Sequence, residues 1–200
     1  MTWVEAEETE QSVWIQTNET QGWQRLAIRG TKNFENVKAD LKTQMTPCEE
    51  LGGVPLHTGF LECARACKKA VAPHLREGYT LKLTGHSLGG ATALILSLLL
   101  AKEGKTVATC VTYGSPRVGP AELSEHFPDG FEMLRVVEVD DVVARLPPVN
   151  FGLKDKPYVH HGDCIVIDNV LTGLDEVTHA AEATVFSKAC LQAYVLDDVD

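Results

Sequence analysis

The apolar and polar positions near the N-terminus predict a β-hairpin. Two β-rich runs, Ser12 to Thr17 and Trp23 to Arg29, are separated by Asn18 to Gly22, a stretch of turn-forming residues. An acidic segment, Glu5 to Glu10, precedes the hairpin and has no predicted element.

The next stretch, Thr31 to Leu56, is polar and interrupted by glycine and proline, and we expect it to be mobile. One short helix, Phe34 to Leu41, is predicted within it. A longer helix is then predicted by apolar residues that recur at helical spacing, with Gly78 as its stop. Those residues are Phe60, Ala64, Cys67, Val71 and Leu75.

From Thr80 onwards the pattern alternates between strand and helix. The predicted elements are a strand Thr80 to Thr84, a helix Leu88 to Glu103, a strand Val107 to Tyr113, a helix Pro120 to Phe127, a strand Met133 to Val139, a strand Cys164 to Ile167 and a helix from about Glu176 to Leu196. Such alternation is typical of an α/β fold, with a mostly parallel sheet covered by helices on both faces. With 200 residues, 44% of them hydrophobic, we expect one domain over residues 1–200.

A motif for nucleophilic catalysis lies where the first of these strands meets its helix. Gly85-His86-Ser87-Leu88-Gly89 matches G-x-S-x-G, the nucleophile elbow of the α/β-hydrolase fold. A serine on such a turn is held at the carboxyl end of the strand, and the free N–H of Leu88 can stabilise an oxyanion. Ser87 could instead be a simple helix cap, but its strand and helix context favours a nucleophile.

The serine needs a base and an acid that orients the base, and in this fold both follow it in the chain, the acid first. Asp140 and Asp141 end a β-rich strand, and either could be the acid, whereas Glu138 lies within the strand. The histidines that follow Ser87 are His126, His160, His161 and His179. His126 precedes the acid, and only His179 follows the last strand. Position therefore favours His179 as the base, but it could equally be an exposed residue at the start of the last helix.

Charge and composition restrict the partners. The net charge of −10 opposes binding to nucleic acid, and the longest apolar run, Ala91 to Ala101, is too short to span a membrane. No leader is visible before Trp3, so the compartment stays open, with the cytoplasm favoured. The six cysteines are expected to be reduced core residues, and no zinc-type spacing is present.

Several motifs in the same order along the chain resemble the class 3 lipases, best known from secreted fungal triacylglycerol lipases. The resemblance runs from about Leu26 to Ile167. The motifs are Ile28-Arg29-Gly30-Thr31, His57-Thr58-Gly59-Phe60, Thr84 to Ala91 around the elbow, Tyr113-Gly114-Ser115-Pro116-Arg117-Val118-Gly119, Asp141 with Leu146-Pro147-Pro148, and Tyr158-Val159-His160.

The resemblance implies roles for individual residues. It selects Asp141 as the acid, from its distance to Leu-Pro-Pro, and treats His160 as non-catalytic, which leaves His179 as the base. It also implies that the Thr31 amide is the second oxyanion donor, beside that of Leu88. The interval from Asp141 to His179 is shorter than in the fungal members, and the aromatic residue that usually follows the histidine is missing.

The segment at about 33–41 resembles the lid of these lipases. Its apolar stripe, Phe34, Val37 and Leu41, could shield the site in water and meet lipid when the lid opens. Val37 stands where the family often has tryptophan, which puts strong interfacial activation in question.

These observations predict an ester hydrolase that acts on acylglycerols through an acyl-enzyme, without metal or organic cofactor. Its expected partner is a lipid or another ester, which could be presented at a lipid–water interface. The alternative from another class is an inactive lipase-like module that binds lipid or signals. Within the enzymes, a phospholipase, a galactolipase or a feruloyl esterase fits the same motifs.

Overall fold

A seven-stranded sheet organises the computed structural model, which describes residues 1–9, 11–30 and 44–167. The strands in the described residues are β1 (Thr2–Ala6), β2 (Gln11–Asn18), β3 (Trp23–Ile28), β4 (Met45–Cys48), β5 (Val54–His57), β6 (Thr80–His86), β7 (Val107–Tyr113), β8 (Glu132–Glu138) and β9 (Asp163–Ile167). The large sheet has the order β1-β2-β3-β6-β7-β8-β9. Its first three strands are antiparallel and the other pairs are parallel. The mostly parallel α/β sheet with an N-terminal hairpin is thereby confirmed.

In the described part of the chain, two α-helices pack against this sheet, α1 (Thr58–Val71) and α2 (Leu88–Lys102). They contact each other; α1 also contacts β1 and β2, and α2 contacts β3, β6 and β7, so both lie on one face. Every residue of α2 from Gly89 to Leu100 is buried, as expected for a helix that is apolar all round. The further covering helix predicted at about 176–196 lies outside the described residues.

The periodicity that predicted α1 is confirmed by burial. Phe60, Ala64, Cys67 and Val71 are all inaccessible or nearly so. The helix begins after His57, whose Nδ1 accepts a hydrogen bond from the Phe60 amide, a capping interaction. A 3₁₀ turn, Ala72–His74, follows the helix before Gly78.

Three regions differ from the sequence predictions. The acidic N-terminal segment contributes β1, in which Val4 and Ala6 face the core while Trp3 and Glu5 face solvent. Part of the stretch expected to be mobile forms a second sheet of β4 and β5. The predicted helix Pro120 to Phe127 is a 3₁₀ helix, Ala121–His126.

The cysteines of the described part are free. Burial raises the pKa of Cys67 and of Cys110 to about 12, so both are neutral thiols packed as small apolar groups. The prediction of one domain over residues 1–200 remains a prediction, because residues 168–200 lie outside the description.

Candidate active site

Ser87 lies on a strained turn between β6 and α2. Its backbone has φ 55° and ψ −127°, and it is the one non-glycine residue with positive φ in the described part of the chain. Holding a non-glycine residue in such a conformation costs of order 1–3 kcal/mol, and backbone strain of this kind is typical of functional sites. The residue is 5% exposed, and its Oγ has no hydrogen-bond partner among the described residues.

Two glycines make this turn possible because the backbone segments around it touch. A Cβ at Gly85 would collide with the Gly89 carbonyl, and a Cβ at Gly89 would collide with the carbonyl of Ile28 at the end of β3. The spacing G-x-S-x-G therefore reflects two places where strand and helix leave no room for a side chain. The sequence-based interpretation of the elbow is consistent with this geometry.

Backbone amides around the turn are oriented by their neighbours. The Ser87 amide donates to the Tyr113 carbonyl at 2.9 Å, and the Gly90 amide donates to the Ser87 carbonyl at 2.9 Å. Leu88 is the first residue of α2, and amides in the first turn of a helix have no acceptor within the helix. The Leu88 amide is therefore suited to stabilise negative charge beside Ser87.

Asp141 follows β8, two strands from Ser87. Its Oδ1 accepts a hydrogen bond from the Val143 amide at 2.8 Å. Its Oδ2 lies directly against Gly114, where any Cβ would collide with it. Gly114 follows β7 and donates its amide to Val136 of β8 at 2.9 Å. Ser87, Gly114 and Asp141 thus follow three adjacent parallel strands at the carboxyl edge of the sheet, where α/β proteins place their sites.

The environments of Asp140 and Asp141, the two candidates for the catalytic acid, differ in the structure. Asp140 is exposed, whereas Asp141 is half-buried against Gly114. Glu138 lies within β8. The contact of Asp141 with a residue that follows another strand is the feature that distinguishes it.

His86 is a member of this cluster that sequence reasoning did not consider. Its Nε2 lies 3.5 Å from the position of a Cβ at Gly114, on the side that Asp141 occupies. The side chain keeps solvent exposure, yet partial burial lowers its pKa, while the Asp141 carboxylate acts in the opposite direction. The sequence signal was its place beside Ser87 in the motif, but chain order removed it from the search for a base.

His160 and His161 already have partners in the described structure. His160 Nε2 lies 2.6 Å from the Ala144 carbonyl, and His161 Nδ1 lies 2.8 Å from the Ser124 hydroxyl. Burial is the main reason that the pKa of each is lowered to about 4. Both are therefore neutral near pH 7, and neither has a described contact with Ser87.

The other predicted site residues lie outside the described residues. They are Thr31, the lid residues Phe34, Val37 and Leu41 within 33–41, and His179. The chain just before Thr31 is described: the Cβ position of Gly30 lies 2.8 Å from the His86 carbonyl. Within the described ranges, no group of three histidine, cysteine or acidic side chains could hold a metal ion. None of the described helices is long and apolar enough to cross a membrane.

Comparison with known proteins decides the family. The sequence model of the family described as "Lipase (class 3)" matches residues 25–151, more than half of the chain. The chain belongs to the class 3 lipase family. The resemblance inferred from the motifs is confirmed, and the α/β-hydrolase fold with it.

Several relatives of the chain are fungal proteins named as lipases. Secreted mono- and diacylglycerol lipase 1 of Fusarium solani is 37% identical over 137 residues, which cover 64% of this chain and 40% of the relative. The crystal structure of the lipase from Rhizopus microsporus var. chinensis superposes with a TM-score of 0.72 and 27% identity, covering 84% of this chain and 60% of that one.

A second similar structure is a triacylglycerol lipase whose catalytic centre is described as a serine protease triad. It has a TM-score of 0.65 and 26% identity, covering 80% of this chain and 62% of that one. The chain spans about 40% of the length of the first curated relatives it matches.

Proposed function

We propose that this chain is a serine ester hydrolase that cleaves acylglycerols, with Ser87 as nucleophile, Asp141 as orienting acid and His179 as general base. The observation that carries the proposal is the strained Ser87 turn at the same sheet edge as the Asp141 carboxylate. The related Fusarium lipase is named for mono- and diacylglycerols, and the triad in a similar triacylglycerol lipase supports the same chemistry here.

In the proposed reaction, His179 takes the proton from Ser87 Oγ as this oxygen attacks the ester carbonyl carbon. The carbonyl oxygen becomes an oxyanion and accepts hydrogen bonds from the amides of Leu88 and Thr31. Collapse of the tetrahedral intermediate breaks the bond to the alcohol oxygen, which receives the proton from His179. A water molecule, deprotonated by His179, then attacks the acyl-enzyme, and the fatty acid leaves as Ser87 regains its proton.

Three described features support the assignments that fall outside the description. Gly30 packs against the His86 carbonyl, so the chain leads to Thr31 from directly beside the Ser87 turn. His160 and His161 are engaged by the Ala144 carbonyl and the Ser124 hydroxyl, which favours His179 as the base. Asp141 keeps Oδ2 free of the Val143 amide for contact with that base.

The segment 33–41 is proposed as a lid, with Phe34, Val37 and Leu41 facing the site in water.

We further propose that residues 1–200 form one domain of a secreted-type lipase scaffold. Several relatives are named as secreted, which does not favour the cytoplasmic location expected from the sequence. The substrate is proposed to be a lipid ester, and the charge of −10 opposes a nucleic acid partner.

A hydrolysis panel tests the proposed function. Di- and triacylglycerols, a phospholipid, a galactolipid and a feruloyl ester would be assayed above and below the aggregation threshold of each lipid, with Ser87→Ala as the blank. We expect acylglycerols to be cleaved fastest and Ser87→Ala to lose roughly 10⁶-fold in turnover. A rate increase at aggregation would support the lid. Absence of turnover on every ester would instead indicate an inactive lipase-like module.

A further inference from the structure

Arg135, at the centre of β8, carries a positive charge without a described counter-charge. In the sheet it is paired with Thr112 of β7 and Cys164 of β9. The side chain is half-buried, and its Nε is inaccessible and without a hydrogen-bond partner. Across the described ranges, no carboxylate forms an ion pair with it.

Three basic side chains lie within electrostatic range of Arg135. Burial is the main cause that lowers the pKa of Arg117, His160 and His161, and the charge of Arg135 lowers each of these pKa values further. Arg117 is held in place because its Nη1 donates to the carbonyls of Arg145 and Pro147. The two arginines therefore concentrate positive charge here, while the two imidazoles are neutral near pH 7, in a chain whose net charge is −10.

Two more buried polar atoms, one in β7 and one just before β9, have no hydrogen-bond partner in the described part. Thr112 is fully buried and its Oγ1 is unpaired. His161 is 3% exposed, and its Nε2 forms no hydrogen bond of good geometry, although the Gly119 carbonyl lies near enough to raise the pKa of the ring. His161 is held near β8 because the following residue, Gly162, packs directly on Met133.

We propose that Arg135, with the Thr112 hydroxyl and the His161 ring, forms a binding site for a small monovalent inorganic anion such as chloride. A half-buried guanidinium without a counter-ion is unfavourable, and a buried donor without an acceptor costs further free energy. One anion accepts from several of these donors and neutralises the charge. Because the whole chain is acidic, anions are attracted by this local cluster and not by the protein at large.

Thermal unfolding of the full chain in sodium chloride, with sodium gluconate at equal ionic strength as the control for screening, tests the site. Chloride should raise the melting temperature in a saturable manner by about 2–4 °C more than gluconate. Arg135→Gln should abolish this difference. Arg76→Gln is the matched control, because Arg76 is 62% exposed and paired with Glu19, and it should keep the full chloride effect.

A second variant replaces the anion by a side chain. Cys164 is exposed and lies opposite Arg135 in the β8–β9 pairing, so Cys164→Glu puts a carboxylate beside the guanidinium. This variant should melt higher than wild type in gluconate and gain nothing from chloride. Equal melting curves of wild type in both salts, or a chloride effect that survives in Arg135→Gln or Cys164→Glu, would overturn the proposal. A larger effect of phosphate than of chloride would overturn the assignment to a monovalent anion.

Discussion

The Asp141 carboxylate packs directly on Gly114, a residue with φ 52° that follows the neighbouring strand. The Val143 amide donates a hydrogen bond to the other carboxylate oxygen, so the contact and this hydrogen bond together give the carboxylate a defined position. The absence of a side chain at residue 114 is therefore a condition for the proposed triad. Gly114, which follows β7, thus helps to position Asp141, which follows β8.

Gly114→Ala should reduce turnover by about a hundredfold, because the added methyl group displaces the carboxylate from its place. The measurement is kcat and KM on a soluble short-chain ester. Gly104→Ala is the matched control, since Gly104 also has positive φ, 81°, but has open space around its Cβ position. Both variants should lose similar stability from backbone strain, and only Gly114→Ala should lose activity. Equal activity of the two variants would contradict this account.

Asp141→Asn should lower kcat by about 10⁴-fold, because an amide cannot hold the base in its catalytic tautomer or stabilise its charged form. Asp140→Asn changes the same chemical group one residue earlier, at an exposed position, and should stay within severalfold of wild type. The two variants would be compared on the same ester at several pH values. A strong loss in Asp140→Asn with little change in Asp141→Asn would reverse the assignment.

The free energy of unfolding should be about 1 kcal/mol higher for Ser87→Gly than for Ser87→Ala, because glycine adopts the observed φ without strain. Ser87→Gly should therefore be the more stable variant. Alanine retains the strain, so the pair isolates the backbone term from loss of the hydroxyl. Urea unfolding of both inactive variants measures the difference. Equal stability would mean that the turn is not strained.

Stability should fall as the pH is lowered from about 6.5 towards 4. Mainly through burial, the pKa values of His57, His160 and His161 are each lowered to about 4. In the unfolded chain the same imidazoles bind protons below about pH 6.5. Between about pH 6.5 and 4 the unfolded chain therefore binds more protons than the folded one, and acid favours unfolding. The stability that comes from the neutral rings is fully present above about pH 6.5.

His57 offers a direct check of this pH dependence. His57→Asn keeps a side-chain acceptor for the Phe60 amide but removes one titrating group. The unfolding free energy from urea titrations between pH 7 and pH 5 should therefore change less steeply with pH in the variant. An unchanged slope would show that His57 does not contribute to it.

The parts that could be predicted from the sequence are those with a short-range physical cause. The spacing of Gly85, Ser87 and Gly89 is dictated by contacts between adjacent strand and helix, so it is visible as a motif. The helix α1 is likewise visible in its apolar period. The contact of Asp141 with Gly114 is not, because it joins two residues 27 positions apart whose proximity depends on strand order.

The elements that were missed gave weak or opposing signals. In β4 and β5, Pro47 and Pro55 lie opposite each other, and proline normally argues against a strand. In β1 the alternation of Trp3, Val4, Glu5 and Ala6 was present, but the acidic residues that follow it dominated the interpretation. His86 was missed because the search for a base considered order along the chain and not proximity to the acid.

The most direct test of the account is covalent labelling by a fluorophosphonate, followed by peptide mass spectrometry. Ser87 Oγ should bond to phosphorus with loss of fluoride, giving one label per chain on the peptide that contains Ser87. His179→Ala should slow labelling at least a hundredfold, and His160→Ala should label like wild type. Absence of label on Ser87 in the wild-type protein would contradict the central claim that Ser87 is the nucleophile.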